Sequence, residues 1–232
     1  MNLETIAIFH SPLTSKFGTP RQSGVVSELL GKIILEPHYR STDAVRGMEG
    51  FDYLWLIWSF SANKKQADSL TVRPPRLGGN ERVGVFASRS PYRPNAIGLS
   101  SVKLHHIDYD CDEAPVIYVE GADLIDGTPI FDIKPYVAYT DSHPQARSGF
   151  TDTVEWQPLR VEFSEQVRQL FSTPEFQWLD SQQGVLSQLL SQDPRPHYHD
   201  DALRIYGMEY AGFDVRFTVS DAVLTVVDVK KM

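Results

Sequence analysis

Apolar positions come in short bursts through the first two-thirds of the chain. Leu3 to Phe9 and Gly31 to Leu35 are short β-type runs, and Tyr53-Leu54-Trp55-Leu56-Ile57-Trp58 is continuously apolar, the pattern of a strand buried on both faces. Val83 to Ala87, Leu99 to Ile107 and Val116 to Val119 follow, separated by Gly, Pro, Asn and Asp. Only Gly24 to Leu30 and Asp43 to Met48 have the spacing of short helices in this region. Many short strands without alternating helices predict a mainly β fold, a barrel or sandwich, in place of a doubly wound sheet.

The pattern changes after about residue 155. Ser164 is placed to cap a short helix running through Phe171, and Thr173-Pro174 is a cap-then-proline start for a second. In that second helix Phe176, Leu179, Leu186, Leu189 and Leu190 recur at helical spacing, and Asp193-Pro194-Arg195-Pro196 forbids its continuation. Leu203 to Tyr210, Phe213 to Val219 and Val223 to Val229 then alternate as strands, with turns at Gly212 and Ser220-Asp221. The expected organisation is a β domain over 1–150 and a small α+β domain over 155–232. No internal repeat or low-complexity tract interrupts either.

Composition adds a soluble, globular class: 232 residues, 41% hydrophobic and 22% charged, enough to bury an ordinary core. The single cysteine, Cys111, excludes a disulfide framework within the chain, so a reducing cytoplasm is the expected location. The start Met1-Asn2-Leu3-Glu4-Thr5 lacks a basic region followed by an apolar one, and Tyr53 to Phe60 is too short to span a bilayer, so no membrane role is expected. A net charge of −8 argues against nonspecific coating of nucleic acid. Between Arg73 and Arg93, however, Arg73, Arg76, Arg82, Arg89 and Arg93 face the lone acid Glu81. A basic patch on an acidic protein suits a localised anion, a carboxylate or a few phosphates; a solvated arginine-rich loop is the plainer alternative.

There is no G-x-G-x-x-G after a strand, no Walker loop, no H-E-x-x-H and no G-x-S-x-G, and the seven histidines, including His105-His106 and His197/His199, show no ligand spacing, so no metal is expected. The densest stretch is Arg73-Pro74-Pro75-Arg76-Leu77-Gly78-Gly79-Asn80, then Gly84-Val85-Phe86-Ala87-Ser88-Arg89-Ser90-Pro91-Tyr92-Arg93-Pro94-Asn95-Ala96-Ile97-Gly98. Prolines and glycines fix an irregular backbone there, which can aim guanidiniums in advance at a carboxylate or phosphate. Asp123-Leu124-Ile125-Asp126-Gly127-Thr128-Pro129, leading into Phe131-Asp132-Ile133-Lys134-Pro135-Tyr136, reads first as a turn between two strands. Its carboxylates could also accept from ribose hydroxyls or an amino group, and amides beside Gly127 could meet an adenine edge. Pro20-Arg21-Gln22 sits in a polar loop and is uninformative by itself.

Together these pieces resemble the TsaA/TrmO (YaeB-like) family of tRNA adenosine-37 N6-methyltransferases. The resemblance rests on Pro20-Arg21-Gln22, Asp43-Ala44-Val45-Arg46-Gly47, Arg73 to Asn80, Gly84 to Gly98, Asp123 to Tyr136 and Gln192-Asp193-Pro194-Arg195-Pro196-x-Tyr198, and spans nearly the whole chain. It implies a non-Rossmann barrel of six or seven strands, a homodimer, and S-adenosyl-L-methionine bound near the dimer interface. The implied substrate is N6 of a threonylcarbamoyl-adenosine beside the tRNA anticodon. Cofactor contacts are implied at Pro20, Arg21, Gln22, Arg89, Leu99, Asp126, Gly127, Thr128 and Pro129. They are also implied at Ser61 and Ala62, where relatives carry a His-Gln pair and backbone contacts alone would survive the change.

Methyl transfer from a sulfonium is an in-line displacement and needs alignment of nitrogen, methyl carbon and sulfur. The urea-like target nitrogen benefits from losing its proton, and Asp126, Lys134 and Tyr136 are the candidate bases. Arg73, Arg76, Arg93, Asn95 and Arg195 are candidates for tRNA, with Arg93 or Lys134 suited by charge to the threonyl carboxylate. A small-molecule methyltransferase and a non-catalytic ligand-binding barrel are the alternative functions.

Overall fold

The computed structural model describes residues 2–63, 69–74, 77, 81–154, 157–195 and 201–232. Six strands form one antiparallel sheet: β1 (Ala7–His10), β2 (Leu30–Leu35), β3 (Tyr53–Ser59), β6 (Ile97–Asp108), β7 (Val116–Glu120) and β8 (Thr128–Pro135). The spatial order is β1-β2-β7-β6-β3-β8, and β1 pairs with β2 on one side and β8 on the other, so the sheet closes on itself as a barrel. Between β3 and β6 a two-stranded ribbon of β4 (Thr71–Val72) and β5 (Val83–Gly84) stands apart. A helical turn, α1 (Ala138–Asp141), follows β8.

Alternation of side chains explains the barrel interior. Phe9, Ile33, Leu54, Leu56, Trp58, Val102, Ile117, Val119, Leu124 and Ile130 point inward and are buried. The apolar run on β3 is not covered on both faces, as its continuity suggested. Leu54, Leu56 and Trp58 face the core, whereas Tyr53, Trp55 and Ile57 point outward, Tyr53 being 44% exposed. Opposite them on β6 the outward positions are Leu99 and Ile97, and on β8 Asp132 and Lys134. Among the described residues, Tyr53, Ile97 and Leu99 stay exposed on this outer wall, whereas Trp55 packs against Tyr136 and donates its Nε1–H to Asp141.

A second sheet, in the order β10-β11-β12-β9, is built from β9 (Arg160–Phe163), β10 (Tyr206–Tyr210), β11 (Phe213–Ser220) and β12 (Val223–Lys231). β9, which the apolar pattern did not announce, runs parallel to β12. Helices α2 (Glu165–Phe171), α3 (Gln177–Ser181) and α4 (Gln183–Ser191) supply the rest of its core. Ser164 caps α2 as expected, its side chain accepting from the Val167 N–H. The single second helix expected from Thr173 is in fact α3 and α4, divided at Gln182.

Two further expectations fail for local reasons. Gly24 to Leu30 is not a helix, because its backbone bonds are taken elsewhere: Gly24 N–H donates to Gly121 O at 2.8 Å, and Gly121 N–H returns one to Leu29 O at 2.9 Å. Val26 and Leu29, with Leu13, are buried in the second core, so the β1–β2 loop joins the two hydrophobic centres. Asp43 to Met48 is two 3₁₀ turns, Thr42–Val45 and Met48–Gly50, divided by Gly47 at φ 85°. Val83 to Ala87 is strand only to Gly84 before a 3₁₀ turn.

Gly98 pairs across from Trp58, whose indole lies over it. A Cβ there would meet Trp58 Cε2 at 2.3 Å, and a buried ring cannot swing aside. Gly98→Ala is therefore expected to destabilise the fold by about 1–3 kcal/mol through overpacking, read from the urea midpoint. An unchanged midpoint would contradict the packing described.

Candidate active site

The barrel has two ends, and strand direction decides which residues share one. β1, β3 and β7 finish, and β2, β6 and β8 begin, at the same end. The loops gathered there are 11–29, 60–96 and 121–127, which carry Pro20-Arg21-Gln22, Ser61-Ala62, Arg89-to-Asn95 and Asp126-Gly127. Motifs far apart in sequence thus meet on one rim.

Named contacts hold these loops together. Arg89 Nη1–H donates to Gln22 Oε1 at 2.6 Å. Lys16 Nζ donates to Asn63 Oδ1, linking the first loop to the segment after Ser61-Ala62. Asp126 Oδ1 accepts from Ser11 N–H at 3.1 Å and lies 3.1 Å from His10 Nδ1. The amides beside Gly127 are not available for an adenine edge: Asp126 N–H is taken by Leu13 O at 2.8 Å and Gly127 N–H by Phe9 O at 2.9 Å. Thr128 is buried, its hydroxyl donating to Ile125 O at 2.7 Å, so it closes the turn from inside. Pro129 lies opposite Ile8 in the ladder and Pro20 is buried under the loop, while Arg21, Ser61, Ala62, Asp126 and Gly127 are exposed. No atom lies within 4 Å of a Cβ built at Gly127, so a ligand could approach its backbone closely.

Asp123 is a residue of this rim that sequence reasoning placed in a turn motif without assigning it to the site. The residue is only half-buried, yet its carboxylate is turned away from water and accepts the Ser100 Oγ–H at 2.5 Å. Ser100 in turn accepts from Trp58 Nε1–H at 3.0 Å. Desolvation pushes the Asp123 carboxyl above its ordinary value of 3.8, against the opposing pull of Ser100, the backbone N–H groups and the Arg89 charge.

Other expected site residues fall elsewhere. Lys134 and Tyr136 lie at the far end of β8 from Asp126, on the order of 20 Å away along an extended strand, so the three candidate bases do not converge within one subunit. Lys134 Nζ pairs with Asp132 at 2.7 Å. Tyr136 packs edge-on against Tyr53, and its N–H donates to Tyr53 O at 2.9 Å. Leu99 points outward from β6 and is 56% exposed, beside Ile57 and not at the rim's centre. Arg93 turns Nη1–H back to Ser88 O at 3.2 Å, bracing the loop that carries Arg89. Arg93 and Asn95 also line a hollow of about 360 Å³ with Asn63, Ile97 and Phe131. Arg195 clamps Asp193 with two bonds, 2.9 and 3.0 Å, beside a second hollow of about 390 Å³ lined by Lys16, Arg21 and Gln192. Arg73 is exposed at the β4–β5 ribbon, and Arg76 lies outside the described residues, as do His197, His199 and the end of the tail motif.

The tRNA-methyltransferase O N-terminal domain model matches residues 8–142 and the TrmO C-terminal domain model matches residues 156–232. The chain belongs to the TrmO family. A tRNA (adenine(37)-N6)-methyltransferase of Escherichia coli strain K12 is 39% identical over 222 residues, covering 94% of this chain and 93% of the relative. A Pseudomonas aeruginosa relative, whose name provisionally describes an S-adenosylmethionine-dependent methyltransferase, is 36% identical over 93% of this chain and 91% of its own length. The crystal structure of TrmO from Pseudomonas aeruginosa superposes with a TM-score of 0.80 at 30% identity, covering 99% of this chain and 98% of that one. Family membership therefore holds for both halves and for the mainly β architecture.

The raised Asp123 carboxyl has a consequence for stability. Because the folded chain binds that proton more tightly than the unfolded chain does, the group favours folding most at acid pH, and the benefit is lost as pH rises from about 4 through the raised value. Asp123→Asn removes this loss. The melting temperature of the variant minus that of the wild type is expected to grow as pH climbs above about 4; a difference independent of pH would show that the carboxyl is not desolvated.

Proposed function

We propose that this protein transfers the methyl group of S-adenosyl-L-methionine to N6 of adenosine 37 in tRNA, and that the acceptor already carries a threonylcarbamoyl group. The observation that carries the reading is the meeting of the family's motifs on one rim of the barrel, with Arg89 held on Gln22 beside the Asp126-Gly127 turn. The activity itself is carried over from the names of relatives that align end to end.

The groups present fit the cofactor. Arg89, exposed and pre-aimed by Gln22, suits a carboxylate; the Asp126 carboxylate suits hydroxyl or amino donors; the open backbone at Gly127 admits a flat ring at close range. S-adenosyl-L-methionine, when bound, supplies an electrophilic methyl group on a sulfonium. The protein's contribution is positional: rigid loops hold the acceptor nitrogen in line with that methyl, converting an encounter into an intramolecular step. Of the three candidate bases only Asp126 stands on this rim, so the proton of N6 is assigned to it within one subunit. Arg73, Arg93, Asn95 and Arg195 are assigned to RNA, although Arg93 and Arg195 also brace their own segments.

A homodimer belongs to the same reading. The outer wall of β3, β6 and β8, where Tyr53, Ile97 and Leu99 are exposed beside half-buried Ile57, is the face assigned to a second copy, which would bring Leu99, Lys134 and Tyr136 to the boundary. Light scattering is expected to give a dimer that Ile57→Asp converts to monomer; a fully active wild-type monomer would remove the dimer from the account.

The reaction is tested with a labelled methyl donor and tRNA from cells lacking this protein. Label is expected in adenosine 37 of that tRNA and absent from tRNA already modified by the enzyme. Transfer to small molecules with none to RNA would favour a small-molecule methyltransferase, and binding without transfer a ligand-binding barrel.

A further inference from the structure

We propose that the exposed ring of Phe86, with Tyr92 on the same arginine-rich loop, is a platform on which unpaired bases of the RNA acceptor stack. The inference rests on the reading that this protein methylates tRNA, and adds to it the surface that grips the RNA around the target adenosine. Phe86 is 78% exposed and Tyr92 51%, although the loop that carries them is fastened by its own bonds. Val85 is buried, and its N–H donates to Leu70 O at 2.9 Å. Ser88 gives both its N–H and its hydroxyl to Val85 O, at 3.2 and 2.9 Å. Arg93 folds the chain back by donating to Ser88 O at 3.2 Å, and Arg89 ties it to Gln22 at 2.6 Å. The core thus takes Val85 and leaves Phe86, the next residue of the same 3₁₀ turn, in water. Leu70, across the Val85 bond from that turn, is exposed as well.

The charge around the rings decides what covers them. Glu81 is the one acid between residues 69 and 95, whereas Arg73, Arg82 and Arg89 are exposed there, on a chain of net charge −8. Arg82 is held on the β4–β5 ribbon by donating to Thr71 Oγ1 at 2.9 Å. A second copy of the chain meeting this patch across a two-fold axis would set the same arginines against one another. A single RNA strand instead brings phosphates to the guanidiniums and flat bases to the rings. Position agrees with chemistry: Phe86 is three residues from Arg89, at most about 11 Å between Cα atoms, so the ring stands near the group assigned to the cofactor. A base turned out so that its N6 can meet the methyl leaves its neighbour's face uncovered. An aromatic ring replaces that lost stacking without reading sequence.

Affinity of the full-length protein for an RNA stem-loop copied from the anticodon arm of tRNA tests the platform. Phe86→Ala is expected to bind this RNA about tenfold more weakly, with S-adenosyl-L-methionine affinity and melting temperature unchanged. Phe86→Trp should bind at least as tightly as the wild type, whereas Phe86→Leu, apolar but not flat, should fall with Phe86→Ala. Stacking releases no counterions, so the dependence of affinity on salt should keep its wild-type slope in Phe86→Ala. Wild-type RNA affinity in Phe86→Ala would overturn the proposal, as would full rescue by Phe86→Leu or a shallower salt slope. Conversion of a dimer to a monomer by Phe86→Ala in light scattering would also overturn it, by assigning the ring to a second copy. Tyr92→Ala should weaken RNA binding several-fold, and unchanged affinity would remove Tyr92 from the platform. The wild type separates this from the underlying reading: no methyl transfer to tRNA overturns both, whereas transfer with RNA binding that Phe86→Ala leaves intact overturns only the platform.

Discussion

Closure of the sheet through β1 is the constraint on which the rest depends. This four-residue strand pairs with β2 and with β8, so the loops leaving β1 and entering β8 are forced together. Gly127 N–H then reaches Phe9 O, Asp126 N–H reaches Leu13 O, and the Asp126 carboxylate lands on Ser11. Because β6 starts and β3 ends at the same rim, the arginine loop arrives there too. A site assembled by closure needs no helix terminus and no glycine fingerprint, so the proposed nucleoside cofactor would require no parallel sheet.

The same loop that forms half the rim also anchors the second unit. Leu13, Val26 and Leu29 are buried with Leu186, Leu190, Phe217 and Leu224, so the loop carrying Arg21 and Gln22 is held between two hydrophobic cores. Phe17 stacks against Phe217 from the same loop. Such double anchoring restricts the loop's conformations before any ligand arrives and lowers the ordering cost of binding. It also gives the second unit a role in shaping the rim independent of any contact it makes with RNA.

Most strands were legible because alternation on a pleated sheet leaves a period of two, and the Ser164 cap was legible from chemistry local to four residues. The motif stretches 20–22, 89–95 and 126–127 lie on loops that gather at one end of the barrel. What the chain order concealed was distance: Asp126 and Lys134 are eight positions apart and look like one cluster, but an extended strand carries them to opposite ends of the barrel. The run Tyr53 to Trp58 was misread because apolarity does not say what covers a face, only that something can. Asp123 goes unassigned because an aspartate before a glycine turn is ordinary, and its partner Ser100, 23 positions away, is brought to it only by the fold. The segment before β2 was misjudged because helical spacing of Val26 and Leu29 says nothing about hydrogen bonds claimed by Gly121.

The proposed function places the cofactor on the rim loops of the barrel. A crystal structure of the protein with the demethylated product of S-adenosyl-L-methionine measures this directly. The account predicts the ligand's carboxylate on Arg89 and its ring against the backbone at Gly127; a ligand lodged on the β9–β12 sheet, with the rim loops bare, would contradict it.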